Sequence, residues 1–197
     1  MSKHITSHPN LKSKIKTVIF DCDGVLWLLN DLIPGATDLI QYLHQNNIRT
    51  YFISNNSTKT TSEYLEKFKK LNFGVEISPG NVISAAKVTA KRCHDLGIKK
   101  VFVLGAKAID FELSEYGIKT VRHEDELEKG NIEFDLDNDV QAVVAGMDRD
   151  ITYNKLAIDR YKKHLKYMIF LFEPKTIIIF PLYCLQLCEK MHASFRA

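Results

Sequence analysis

The sequence predicts an α/β fold built on a Rossmann-like parallel sheet, and three observations carry that expectation. From Ile15 to Ala145, short apolar runs alternate with stretches whose apolar residues recur at helical spacing, the rhythm of βαβ units. Two of these runs stop abruptly in polar clusters, Asp21-Cys22-Asp23-Gly24 and Ser54-Asn55-Asn56-Ser57. Open α/β sheets bind ligands at such positions, beyond the carboxyl ends of their strands. The composition, 45% hydrophobic and 26% charged, is that of an ordinary globular protein.

Met1 to Lys14 is polar and basic and is expected to be frayed. Ile15 to Phe20 is the first strand, and its Val18-Ile19-Phe20 run reads as buried on both faces. Asp21 to Gly35 is a loop whose apolar residues, Leu26 to Leu29, look exposed. They either gate water beside the acids or pack under the loop. Ala36 to Asn46 reads as a helix with Leu39, Ile40 and Leu43 on one face, and Ile48 to Ile53 as the second strand. Ser57 or Thr58 is a suitable N-cap for a helix burying Tyr64, Leu65, Phe68 and Leu71. Ser78-Pro79-Gly80 is a turn, and helical spacing then runs from Val82 to Leu96. A second αβ series follows: strand Lys100 to Leu104, helix Ala106 to Tyr116, strand Ile118 to Val121 and, after an acidic loop from His123 to Asp139, strand Val140 to Ala145. The boundary between the two series is expected near Gly97.

At 197 residues the chain can form one large domain or one and a half. The net charge of +3 is unevenly spread: the residues from Arg160 onward carry seven basic against two acidic side chains, the remainder 20 against 22. A near-neutral body gives no electrostatic case for nucleic acid as a partner. Cys22, Cys93, Cys184 and Cys188 form no Cys-x-x-Cys pair, and MSKHITSHPN lacks the apolar segment of a secretory signal. A reduced, cytoplasmic protein is the expectation.

VIFDCDGVLW at 18–27 places two carboxylates at the end of a strand, with a glycine to let the chain turn. Phosphoryl transfer suits this pattern, with Asp21 as nucleophile, Asp23 as general acid and then base, and a divalent cation to offset the negative charge. A calcium loop is excluded because its fifth and twelfth positions are here Val25 and Leu32. A plain acidic turn is the alternative. Ser54-Asn55-Asn56-Ser57 offers a hydroxyl and a helix N-terminus to a phosphate, or simply caps the helix.

FDCDGVLW at 20–27 and ISNNSTKT at 53–60 resemble the first two motifs of the haloacid dehalogenase superfamily. Within it the chain is most similar to the 4-nitrophenylphosphatase, phosphoglycolate and pyridoxal phosphatase family. The similarity continues through Pro34-Gly35-Ala36, VLG at 103–105 and VQAVVAGMDRDITYNKLA at 140–157, the last resembling that family's cap. The resemblance implies a Mg²⁺-dependent phosphatase acting on small phosphorylated metabolites through an aspartyl-phosphate. Asp21 would be nucleophile and metal ligand. Asp23 would be acid/base and a metal ligand through its carbonyl, while Ser54, Asn55 and Asn56 would hold the phosphoryl group. A homodimer through the cap is the form of association to expect.

The chain also departs from the family. It contains no Gly-Asp dipeptide, so the motif that supplies a further metal carboxylate is missing, and the resemblance ends after Ala157. Lys175 does not match the family's phosphoryl-stabilising lysine. Asp135, Asp137 and Asp139 read as a solvated acidic loop, and Asp148 and Asp150 as structural. The tail LKYMIFLFEPKTIIIFPLYCLQLC at 165–188 is apolar, but Glu173, Pro174 and Lys175 interrupt it, which argues against a membrane span. The expected organisation is an incomplete phosphatase core at 1–97, a partial αβ cap at 98–159, and a divergent apolar and basic tail at 160–197. The alternative to an active enzyme is a catalytically impaired fragment that acts only as a binding or association module.

Overall fold

The computed structural model describes residues 15–122, 139–152, 167–172 and 176–181. It has the mixed α/β architecture expected from the sequence, in two compact units. The first comprises residues 1–54 and 61–83, the second residues 55–60 and 84–197. Gly97 lies inside the second unit and takes a left-handed φ of 71° immediately after a helix.

In the first unit, β1 (Thr17–Asp21) pairs in parallel with β4 (Arg49–Ser54), and β5 (Val82–Ser84) completes a three-stranded sheet of order β1-β4-β5. Phe20 and Phe52 face one another across the β1–β4 pair and join the core with Val82. Ile19 points to the opposite face and is 60% exposed, so the expectation of a β1 buried on both sides is corrected. Helix α1 (Ala36–Gln45) buries Ala36, Ile40 and Leu43, and α2 (Thr61–Lys70) buries Tyr64 and Phe68. Helix α2 begins later than expected. The Asn56 side-chain oxygen accepts hydrogen bonds from the Thr58 amide (2.8 Å) and hydroxyl (2.7 Å), a local turn that competes with a helical start.

A two-strand hairpin, β2 (Trp27–Leu28) and β3 (Asp31–Leu32), occupies the loop after β1. Its apolar residues divide: Leu26 and Trp27 are buried, whereas Leu28 and Leu29 are exposed. Leu29, at the hairpin tip, is 81% exposed and has a φ of 53°. A left-handed conformation costs an L-residue about 1–2 kcal/mol, and here no packing offsets it. Leu29→Gly is therefore expected to stabilise the protein by roughly 0.5 kcal/mol, net of the unfolded-state entropy that glycine adds. Chemical denaturation of both forms checks this.

Val82 to Ser84 is a strand rather than the first turn of a helix; α3 (Ala85–Asp95) starts only after Ser84, whose hydroxyl caps it by accepting from the Lys87 amide at 3.1 Å. In the second unit α3 is followed by β6 (Lys100–Leu104), α4 (Ala108–Ser114), β7 (Lys119–Val121) and β8 (Ala142–Ala145). The apolar tail contributes β9 (Tyr167–Phe172) and β10 (Thr176–Pro181). The sheet order is β10-β9-β8-β6-β7, parallel throughout except for the antiparallel β9–β10 pair. Its core holds Val101, Val103, Ala142, Val144 and Ile169 with Ala86, Ala90 and Cys93 of α3. Among the described residues no helix is long and apolar enough to cross a membrane. Asp135, Asp137, Lys175, Cys184 and Cys188 lie outside the described residues.

Cys93 is free and buried, and burial pushes its thiol up to about 12. At pH 8 only about one thiol in 10⁴ is then the reactive thiolate, far less than in an unfolded chain. Alkylation of Cys93 by iodoacetamide is expected only after denaturation, as mass spectrometry of native and unfolded samples will show.

Candidate active site

The candidate site in the first unit is built where β1 and β4 end. Asp21 pairs with Ile53 across the ladder, and the Cys22 amide donates to the Ile53 carbonyl at 3.1 Å, so Ser54 arrives beside the acidic turn. After Asp21 the chain coils tightly: the Leu26 amide donates to the Cys22 carbonyl at 3.0 Å, and the Gly24 amide to the Trp27 carbonyl at 2.7 Å. Gly24 takes a φ of 82°, a conformation that favours glycine. This coil returns Trp27 to Asp23, four residues on.

Both carboxylate oxygens of Asp23 are engaged. Trp27 Nε1 donates to Oδ1 at 2.8 Å, and Ser54 Oγ donates to Oδ2 at 3.3 Å. Ser54 in turn accepts from the Tyr64 hydroxyl at 2.6 Å. The supporting groups are dry, with Trp27, Tyr64 and Ser54 all buried, while Asp23 is exposed and Asp21 half-buried. The Asp21 carboxylate accepts from the Cys22 amide at 2.8 Å. Burial, reinforced by the negative charges of Asp23 and Asp21, pushes the Cys22 thiol up to about 12, with Lys67 acting in the opposite sense. Cys22 is therefore a neutral packing residue beneath the acids.

The Trp27 ring is itself fixed. Phe68 and Phe73 meet it edge-on, with centroids 5.0 and 6.2 Å away, and Lys67 Nζ lies 4.3 Å from its centroid while donating to the Leu29 carbonyl at 2.7 Å. The structure thus brings Asp21, Asp23 and Ser54 together within one unit. Asn55 and Asn56 follow Ser54 in the chain but group with the second unit, where Asn56 holds the turn at Thr58. Sequence reasoning missed Trp27 and Tyr64 as parts of the site. The available signals were an indole four residues beyond an acid and a phenol ten residues beyond the serine.

Asp21 and Asp23 offer the hard oxygen donors that suit Mg²⁺, which commonly binds one or two carboxylates and completes its shell with water and substrate phosphate. The Asp21 carboxylate and, as the family resemblance implies, the Asp23 main-chain oxygen would be the donors to such an ion. Among the described residues no group of three His, Cys, Asp or Glu gathers as an all-protein metal cage.

A parallel α/β sheet with paired acids at one strand end and a serine at the next belongs to the class of open α/β folds that bind ligands beyond the carboxyl ends of their strands. The model of the haloacid dehalogenase-like hydrolase family matches residues 18–119, and the chain belongs to that family. Human glycerol-3-phosphate phosphatase is 35% identical over 170 residues, covering 80% of this chain and 51% of that protein. The 4-nitrophenylphosphatase of Schizosaccharomyces pombe is 35% identical over 167 residues, covering 79% and 56%. The crystal structure of a 4-nitrophenylphosphatase from Thermotoga maritima superposes with a TM-score of 0.66 at 25% identity, covering 83% of this chain and 57% of that one. The chain spans about half the length of the curated relatives it matches.

Proposed function

We propose that this protein is a Mg²⁺-dependent phosphomonoesterase for small phosphorylated metabolites, of the class that includes 4-nitrophenyl phosphate, phosphoglycolate and pyridoxal phosphate. The observation that carries the reading is the fixing of Asp23 by Trp27 and Ser54 next to Asp21 at a strand end. Asp21 attacks phosphorus through a carboxylate oxygen, and the ester P–O bond breaks as the aspartyl-phosphate forms. Asp23, as general acid, gives a proton to the leaving alkoxide. Asp23 then takes a proton from water as that water attacks the acyl-phosphate, which releases inorganic phosphate and restores Asp21. Bound Mg²⁺ supplies charge neutralisation at the phosphoryl oxygens. Ser54 donates to the phosphoryl group.

The same reading places the protein in the reduced cytoplasm, where Cys22 and Cys93 stay free thiols, and any self-association in the cap. The second reading, a binding or association module without turnover, rests on the departure from the family's motif for a further metal carboxylate, since the sequence contains no Gly-Asp dipeptide. Hydrolysis of 4-nitrophenyl phosphate by the purified chain separates the two. The enzyme reading expects release of 4-nitrophenolate that EDTA abolishes and excess Mg²⁺ restores. Phosphate binding without turnover would support the module, and metal-independent turnover would overturn the proposed chemistry.

A further inference from the structure

We infer that Tyr64 is a positioning residue of the site, holding the Ser54 hydroxyl in the orientation that makes it a donor at the ends of β1 and β4. The inference rests on the phosphatase reading for its catalytic meaning. Its geometry rests on the hydrogen bonds alone. A serine hydroxyl has one proton to give and two lone pairs to receive. Tyr64 fills one lone pair at 2.6 Å, which leaves the single Ser54 proton for a different acceptor. In the structure that acceptor is Asp23 Oδ2, at 3.3 Å. The longer second distance matches a donor that can transfer its proton contact to a phosphoryl oxygen, whereas the short first one fixes the serine.

Tyr64 is 1% exposed and Ser54 3%, so water does not compete for the Tyr64–Ser54 contact. Burial raises the pKa of the Tyr64 phenol, which stays a protonated donor throughout the working range of pH. Tyr64 sits in the first turns of α2 and Ser54 closes β4, so the contact also ties helix to strand where the site is formed. A residue that served only as core packing would need the Tyr64 ring and not its hydroxyl.

Trp27 is the only tryptophan of the chain, and its Nε1 donates to the other oxygen of Asp23, so its emission reports on the network directly. The test is a double-mutant cycle of Tyr64→Phe and Ser54→Ala in the full chain, read by Trp27 emission and by binding of inorganic phosphate in the presence of Mg²⁺. Tyr64→Phe keeps the ring and is expected to weaken phosphate binding roughly three- to tenfold and to alter Trp27 emission, the scale of one net hydrogen bond. In the Ser54→Ala background the same change is expected to do nothing further to either readout. Additive effects, or a Tyr64→Phe protein that matches wild type in both, would overturn the inference. Circular dichroism shows whether each variant is folded. Should Tyr64→Phe fail to fold, Ser54→Ala with Tyr64 intact still decides: unchanged Trp27 emission there would overturn the network. If the wild-type chain neither binds phosphate nor hydrolyses 4-nitrophenyl phosphate, the phosphatase reading fails, and the emission cycle alone settles the role of Tyr64.

Discussion

Asp21→Asn is expected to abolish hydrolysis of 4-nitrophenyl phosphate while leaving the protein folded. Asparagine keeps the size of the side chain and a carbonyl oxygen to accept from the Cys22 amide, the hydrogen bond that holds Asp21 at 2.8 Å. It lacks the anionic oxygen that, in the proposed mechanism, forms the bond to phosphorus. Removing a nucleophile from a covalent mechanism typically costs at least about 10³-fold in kcat, because the positioning groups left behind cannot open the same path. Asp21 is half-buried and the amide keeps its hydrogen bond from Cys22, so the thermal midpoint should move by only a few degrees, on the scale of about 0.5–1 kcal/mol. Kinetics and thermal denaturation of the two proteins provide the check, and equal turnover would defeat the assignment of Asp21. Asp23→Asn separates the proposed acid/base work of Asp23 from the proposed nucleophilic work of Asp21. The amide keeps an acceptor for Trp27 Nε1 but cannot shuttle a proton, so a loss of about 10²–10⁴-fold is expected.

The coming together of Asp21, Asp23 and Ser54 was legible because two apolar runs stop at Asp21 and at Ser54, with Asp23 two residues beyond the first, a feature local to the chain. The helices α1 and α2 were legible for a similar reason, since Ile40, Leu43, Tyr64 and Phe68 repeat at helical spacing and are indeed buried. What escaped depends on contacts between distant segments. Leu26 to Leu29 are four apolar residues in a row; only the β2–β3 register decides that Trp27 is buried and Leu28 exposed. Val82 and Ile83 fit a helical period, yet a place beside β4 makes them a strand, and the Ser84 cap was the local sign of the later start. Ile19 sits in an apolar run that gives no hint of which sheet face remains open. In the tail, Glu173-Pro174-Lys175 argued against a membrane span, but the pairing of Tyr167–Phe172 with Thr176–Pro181, and of β9 with β8, is a long-range choice of partner.

Phe68→Ala is expected to be the most damaging single truncation in the first unit. Phe68 is buried among three aromatic rings, with centroid separations of 4.6 Å to Phe52, 5.0 Å to Trp27 and 5.2 Å to Phe73. Truncation deletes a whole ring from a closely packed cluster, and phenylalanine-to-alanine changes of this kind cost about 3–5 kcal/mol. Against a typical stability of about 5–15 kcal/mol, that is enough to unfold a marginal domain. The damage also reaches the chemistry. Without the Phe68 edge the indole of Trp27 loses one wall, and Trp27 Nε1 is what holds Asp23 Oδ1. Phe68→Leu keeps most of the volume and should cost far less, so its residual activity isolates the effect on Asp23 from the effect on folding. Ile19→Ser is the control: a residue 60% exposed should change stability by no more than about 0.5 kcal/mol. Denaturation followed by Trp27 emission ranks the three variants, and an Ile19→Ser loss comparable to that of Phe68→Ala would place the core on the wrong side of the β1–β4 sheet.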